Sequence, residues 1–279
     1  MKIATWNVNS LKVRLPHVLE WLKENPVDIL CLQETKLTDD KFPVMEIEAA
    51  GYQTVFTGQK TYNGVAIVSR ETAKDVIKNN PLFPDEQRRL ISATFGPLRI
   101  VCAYVPNGQS IESDKYRYKI EWLRSLKNWL EKEKETHPFI ALLGDYNIAP
   151  EDRDVHDPVA WQGSVLVSEL ERTAFRALLE IDFVDAFRLF DQPEKSYSWW
   201  DYRQLAFQRN RGLRLDHILL SKALAPHCTN CTIDKLPRKW KQPSDHTPVI
   251  AELDLCSPIA GNFVSTGTEP LERQPEKRQ

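Results

Sequence analysis

The chain has no apolar run long enough to span a bilayer, so it does not read as an integral membrane protein. Its opening "MKIATWNVNS" lacks the apolar core of a signal peptide and reads at once as a strand, so a cytoplasmic location is expected. Cysteine is scarce and odd in number, five residues scattered over 279, which favours free thiols over a disulfide framework. Cys228 and Cys231 form a C-x-x-C with no second pair of ligands at similar spacing, so a structural zinc is not expected. Charge of one sign is also lacking. A net charge of −2 gives no global pull toward nucleic acid, and any such binding must come from local patches. The absence of a G-x-S-x-G removes the nucleophile elbow of a serine hydrolase, and there is no strict internal repeat.

What is present is an ordinary globular composition, 42% hydrophobic and 27% charged, with enough length for a substantial core. Short apolar, β-branched runs recur at Lys2–Asn7, Val27–Gln33, Gln53–Thr57, Val65–Ser69, Leu90–Phe95, Arg99–Val105, Phe139–Gly144, Asp216–Leu220 and Val249–Leu253. Several are nearly continuous in apolar character, as expected of strands covered on both faces. Three helices stand out by their spacing. One carries Leu15, Val18, Leu19 and Leu22, and a longer one carries Tyr116, Ile120, Leu123, Leu126 and Leu130. The third opens with the capping-box pattern "SELE" at Ser168 and continues through Phe175, Leu178 and Leu179. Strands mixed with helices, and strands that follow one another directly, imply an α/β class. The expected architecture is a four-layer sandwich, two packed mixed β-sheets flanked by helices. Residues 1–256 are expected to form one catalytic domain, and the polar, aperiodic residues 257–279 a flexible tail.

The polar residues at strand ends are the candidates for chemistry. Asn7 and Asn9 follow the first strand, Glu34 the second, and Tyr104 ends "RIVCAY". Asp145 and Asn147 end "FIALLGDYN", Asp216 opens "DHILL", and Asp245 and His246 precede the last strand in "PSDHTPV". Any one of them alone is most often a turn former. Together they supply the parts for phosphoryl transfer: carboxylates for Mg²⁺, amides for phosphate oxygens, and a histidine with a positioning acid. "TWNVNS" and "LLGDYNIAP" echo each other, each delivering an Asn at the end of an apolar strand. A phosphodiesterase needs such a set, because phosphate-ester hydrolysis requires a barrier lowered by roughly 20 kcal/mol, and one general base supplies only about 3–5.

At "ATWNVNSLKVR", "DILCLQETKL", "YNGVAIVSR", "GDYNIAP", "SWWDYR", "NRGLRLDHIL" and "PSDHTPV" the chain resembles the exonuclease III family of DNA-repair enzymes, which includes AP endonucleases. The motifs run in family order from residue 2 to about 254. The resemblance implies an endonuclease/exonuclease/phosphatase fold and a Mg²⁺-dependent phosphodiesterase, with Mn²⁺ as a substitute ion. Its expected activities are 3′→5′ exonuclease action on duplex DNA, 3′-end cleaning, and incision 5′ of abasic sites. The implied partner is duplex DNA with abasic sites, nicks or recessed 3′ ends, met by a monomer. Carried over by motif, Glu34 is the main metal ligand, with Asn9 close by and Asp245 near the metal or holding His246. Asp145 is the base that activates water, and Asn7 and Asn147 position the phosphate and that water. His246, oriented by Asp216, stabilises charge on the phosphate, and Tyr104 faces the phosphate and the leaving group. The resemblance also places an abasic-sugar pocket at Trp199, Leu213 and Leu215.

Substrate contact is further expected from "SWWDYRQLAFQRNRGLRLD", which interleaves Trp199, Trp200, Tyr202 and Phe207 with Arg203, Arg209, Arg211 and Arg214. A second basic patch is "KLPRKWK", Lys235 to Lys241; the loop Asp152–Ser168 carries no strong motif, and its lone His156 reads as an exposed loop histidine. Two other readings keep the fold. One is a lipid-head-group phosphodiesterase, disfavoured by the aromatic–Arg segment and the lack of a membrane-binding stretch. The other is a silent DNA-binding module, disfavoured by the presence of Glu34, Asp145 and His246.

Overall fold

The computed structural model describes residues 1–255. The expected tail, and Cys256 with it, lie outside the described residues. Twelve strands form two six-stranded sheets. They are β1 Lys2–Asn7, β2 Ile29–Gln33, β3 Gln53–Thr57, β4 Val65–Ser69, β5 Lys74–Lys78, β6 Leu90–Phe95, β7 Leu98–Tyr104, β8 Phe139–Asp145, β9 Phe183–Asp185, β10 Asp216–Ser221, β11 Cys228–Ile233 and β12 Val249–Leu253. The first sheet runs β11-β12-β1-β2-β4-β3 and the second β5-β6-β7-β8-β10-β9. Each holds one parallel pair at its centre, β1 with β2 and β7 with β8. A parallel pair needs a crossover, supplied by α1 Leu11–Glu24 in one sheet and, after the short α2 Val44–Ala49 that precedes β3, by α3 Asp114–Thr136 in the other. The two-sheet α/β sandwich expected from the sequence is therefore what forms.

Alternation along the inner strands decides which residues meet. Ile3, Cys31, Ile100, Cys102, Ala141, Leu143, Ile218 and Leu220 point into the core between the sheets. Their sequence neighbours face outward. Trp6, Leu30 and Leu32 pack with Trp21 and Leu22 of α1, and Leu142 and Leu219 pack with Trp122, Leu126 and Phe175 under α3 and α5 Glu169–Glu180. With a period of two, Asn7, Tyr104, Asp145 and Asp216 lie on the same inward rows as that central core, at the ends of their strands. Gly144 allows the approach, since a Cβ there would sit 1.8 Å from the Ala103 carbonyl oxygen.

Three strands went unread in the sequence: β5, β9 and β11. Each lies at a sheet edge. Edge strands bury little and carry charge that discourages further pairing, so "KDVIK" of β5, exposed along nearly its whole length, shows no apolar run. The capping box at α5 is formed: the Ser168 side chain accepts from the Glu171 N–H, and the Glu171 carboxylate accepts from the Ser168 N–H. The segment Asp152–Ser168 folds onto the molecule through a one-turn helix, α4 Pro158–Trp161, capped by Asp157. No helix among the described residues is long and apolar enough to cross a membrane.

Candidate active site

Where both parallel pairs end, Asn7 joins the two sheets. Its Nδ2 donates to Glu34 Oε1 at 2.8 Å and to Asp145 Oδ2 at 2.8 Å. Asn7 is fully buried and Asp145 1% exposed, so the bond to Asp145 is sheltered from water, while the bond to Glu34 lies at the solvent edge. The two loops that echo each other in sequence are also built alike. The Asn9 N–H donates to Asn7 Oδ1 at 2.9 Å, and the Asn147 N–H to Asp145 Oδ1 at 2.8 Å. Asn9 and Asn147 both take the left-handed conformation, φ 43° and 49°, which short polar side chains tolerate best. Glu34 and Lys36 are also left-handed, each at φ 54°, a strain of roughly 1–2 kcal/mol per residue that the surrounding structure must offset.

His246 closes the cluster from the β11–β12 side. Its Nδ1–H donates to Asp216 Oδ2 at 2.8 Å, and its Nε2 lies 3.7 Å from Asp145 Oδ2. Asp216 is opposite Asp145 in the β8–β10 ladder and accepts a second bond from the Ser198 hydroxyl at 2.7 Å. Its Oδ1 is buried without a hydrogen-bond partner among the described residues. Burial alone would lower the imidazole's pKa, but the negative charges of Asp216, Asp145 and Asp245 outweigh it and push His246 up to about 10. Burial raises Asp145 to about 7, with Asp216 adding to the rise and His246, Asn7 and the Asn147 N–H opposing it. Near neutrality the site therefore pairs a cationic donor with a carboxylate poised to take a proton. Asp216→Asn is expected to lower turnover about 10²-fold, the scale of losing one preorganised charged donor, while leaving divalent-ion affinity unchanged. Steady-state kinetics beside direct ion titration checks this; equal loss of both would contradict it.

Tyr104 completes the inner rim. Burial, with the Glu34 and Asp145 charges close by, holds its hydroxyl well above the ordinary phenol range, so it remains a proton donor. Asp245, next to His246 in sequence, faces elsewhere. It accepts from Asn9 Nδ2 at 2.9 Å and from Trp199 Nε1 at 3.0 Å. Burial opposes its ionisation, but His246 and these two donors hold it below the usual carboxylate range.

Several contributors were not singled out in the sequence, although most lie inside the quoted motifs. Lys36 reaches both Glu34 and Asn9. The Ser244 hydroxyl donates to the Asn7 carbonyl and accepts from the His246 N–H. Lys119 and Glu171 form an ion pair with no exposed side-chain surface, and the Lys119 ammonium also donates to the carbonyls of Asn107 and Asn147. That pair ties together the loops that follow Tyr104 and Asp145. It announces itself in sequence only as a capping box and an ordinary helix lysine.

The residues expected to meet substrate separate into two groups. Trp199, half-buried, lines a cleft of about 390 Å³ with His156, Trp161, Asp201, Arg203 and Arg211. Arg203 and Arg211 are exposed, Arg203 paired with Asp201. Leu213 and Leu215 are 0% and 1% exposed, packed with Val155, Leu166 and Val167 behind Trp199. Arg214 is not a surface cation. Alternation turns it away from the two leucines into a buried network with Asp154 and Asp185, at 2.7 and 2.8 Å. Trp200 is likewise core, and Arg238 of the second basic patch stacks on Tyr202 and Phe207. His156 bonds the Gly212 carbonyl. Beyond Tyr104 lies another cleft, about 610 Å³, lined by Tyr62, Arg89, Asn107 and Lys115.

The model of the endonuclease/exonuclease/phosphatase family matches residues 4–246, a span that contains every residue of this cluster. The chain belongs to that family. Among curated members it is 36% identical over 266 residues to "Exodeoxyribonuclease III" of Haemophilus influenzae, covering 90% of this chain and 99% of that protein. It is 32% identical to "Exodeoxyribonuclease" of Bacillus subtilis, covering 89% and 98%. Among solved family structures, a Neisseria meningitidis 3′-5′ exonuclease superposes with a TM-score of 0.89 at 46% identity, covering 91% of this chain and all of that one (100%). An Archaeoglobus fulgidus AP endonuclease gives 0.88 at 42%, covering 91% and 100%. A Neisseria 3′ phosphatase of this family is also similar, at 46% identity, and its structure holds a product DNA hairpin.

Proposed function

We propose that this chain is a Mg²⁺-dependent DNA-repair phosphodiesterase acting as a monomer on 3′ ends of duplex DNA, releasing nucleotides in the 3′→5′ direction and removing blocking 3′ groups. Incision 5′ of abasic sites is the lesser activity. The observation that carries this reading is the Asn7 bridge between Glu34 and Asp145, set opposite the His246–Asp216 pair.

Two donor sets are candidates for the ion. Asp145, Asp216 and His246 lie close enough together to surround one. The positive charge on His246 argues against that set, because an imidazolium has no lone pair for a metal. Glu34 and Asn9 fit better: their oxygens already converge on one cation, the Lys36 ammonium, and both are oxygen donors with solvent beside them. Asp245 would support Asn9 from behind through its 2.9 Å bond. When bound there, Mg²⁺ supplies charge neutralisation at the phosphate.

The protein groups divide the remaining work. Asp145, held by Asn7 and by the Asn147 N–H, removes the proton from the attacking water. His246, kept cationic by Asp216, donates to a phosphate oxygen as charge builds on it. Tyr104, protonated at all working pH values, donates toward the phosphate and the departing oxygen. Arg203, Arg211 and Trp199 offer the neighbouring phosphates and a base or sugar a place to rest.

The preference for 3′ ends rests on Leu213 and Leu215. A flipped abasic sugar would need their surface, and they have none, packed as they are in one cluster with Ala149, Val155, Leu166 and Val167. Leu166 is 5% exposed and sits at φ 78°, a conformation that suits glycine. A duplex carrying one recessed 3′ end and one internal abasic analogue, incubated with and without Mg²⁺, tests the reading. Nucleotide loss at the 3′ end should exceed incision by about tenfold or more, both should require the ion, and Leu166→Gly should raise incision alone. Incision as fast as end trimming, or either reaction without a divalent ion, would overturn it.

A further inference from the structure

The loop after β2 brings a cation of its own to the proposed metal site. Lys36 Nζ lies 2.8 Å from Glu34 Oε2 and 2.6 Å from Asn9 Oδ1. These two oxygens are the ones assigned above to Mg²⁺, so the inference rests on that reading. Nothing in the local geometry leaves the contact to chance. Asn9 Nδ2 is held by Asp245 at 2.9 Å, which aims Oδ1 at the ammonium, and the Asn9 carbonyl is fixed by Arg14 at 2.6 Å. The other Glu34 oxygen is held by Asn7. On the lysine side, the Lys36 N–H is anchored to the Asn63 carbonyl, and positive φ at both Glu34 and Lys36 shapes the turn. The side chains of Lys36 and Glu34 are 26% and 18% exposed, so the ammonium stands at the solvent edge, on a flexible stem that can swing out.

We infer that Lys36 is a built-in counter-ion: its ammonium holds Glu34 and Asn9 in place when no metal is bound, and a divalent ion must displace it to bind. An ammonium and a hydrated divalent ion want the same oxygens, and the two positive charges repel at this separation. Displacement then frees a cation beside the phosphate at the moment the ion arrives.

Mn²⁺ binding to the DNA-free protein, followed by electron paramagnetic resonance, tests this without any turnover. Lys36→Met and Lys36→Gln should each bind Mn²⁺ about tenfold more tightly than wild type, because a competitor and its charge are gone. Lys36→Arg should stay near wild type. General damage to the fold weakens binding and cannot produce a gain. Unchanged or weaker binding in both neutral variants, while Glu34→Gln abolishes binding, overturns the counter-ion and leaves the metal site standing. Undiminished binding in Glu34→Gln overturns the metal site and this inference with it.

Discussion

Asp145→Asn is expected to lower nucleotide release by about 10³–10⁴-fold, the upper range for loss of a general base. The amide keeps the shape and can still meet the Asn147 N–H, but it has no lone pair basic enough to take a proton. The pH dependence carries the same information. Burial lifts Asp145 to about 7, so the reactive anionic form accumulates as pH rises through that value. His246 stays cationic up to about 10. In the wild type, kcat/KM should climb about tenfold per pH unit below 7, level off, and fall again above about 10. The residual activity of Asp145→Asn should lack the acidic limb while keeping the basic one. A rate profile across pH 5–11 for both proteins checks this, and an acidic limb that survives the substitution would assign it to another group.

The inner strands were legible because burial on both faces leaves continuous apolar runs, as in Ala66–Val68 and Ile140–Leu143. Three of the four edge strands were not, because β5, β9 and β11 answer to one neighbour each and have no apolar run to betray them, whereas β3 carries one in Val55 and Phe56. Strand-terminal residues such as Asn7, Asp145 and Asp216 could be picked out because each is a polar residue at the end of an apolar run. Burial of a particular side chain was harder to foresee. Arg214 reads as one more cation in a basic segment, and only its pairing with Asp154, sixty residues away in sequence, reveals it as structural. Leu213 and Leu215 read as pocket walls until they are found fully packed among Val155, Leu166 and Val167. Lys36 was in plain view inside "LQETKL". Its meaning depends on Asn9, which reaches it from another loop.

The histidine–acid pairing was carried by the resemblance and not by adjacency in the chain. Asp245 is the nearest acid in sequence, yet the extended chain turns it toward Asn9 and Trp199, and the partner of His246 is Asp216. A neighbour in sequence is a poor guide to a neighbour in space wherever the backbone is extended.

The largest remaining effect concerns the ion. Among the described residues, Glu34 is the carboxylate that touches both the bridging Asn7 and the Lys36 ammonium. On the proposed reading, removing it takes away the charge that would draw Mg²⁺ in, together with one acceptor of the Asn7 amide. A loss of about 4 kcal/mol of transition-state stabilisation corresponds to roughly 10³-fold in rate. The account is tested most directly by titrating Mg²⁺ into metal-stripped protein on a duplex with a recessed 3′ end, for wild type and Glu34→Ala. Wild type should be silent without the ion and regain full nucleotide release on its addition, while Glu34→Ala stays about 10³-fold below it at every concentration. Full Mg²⁺-dependent release by Glu34→Ala would contradict the proposed site.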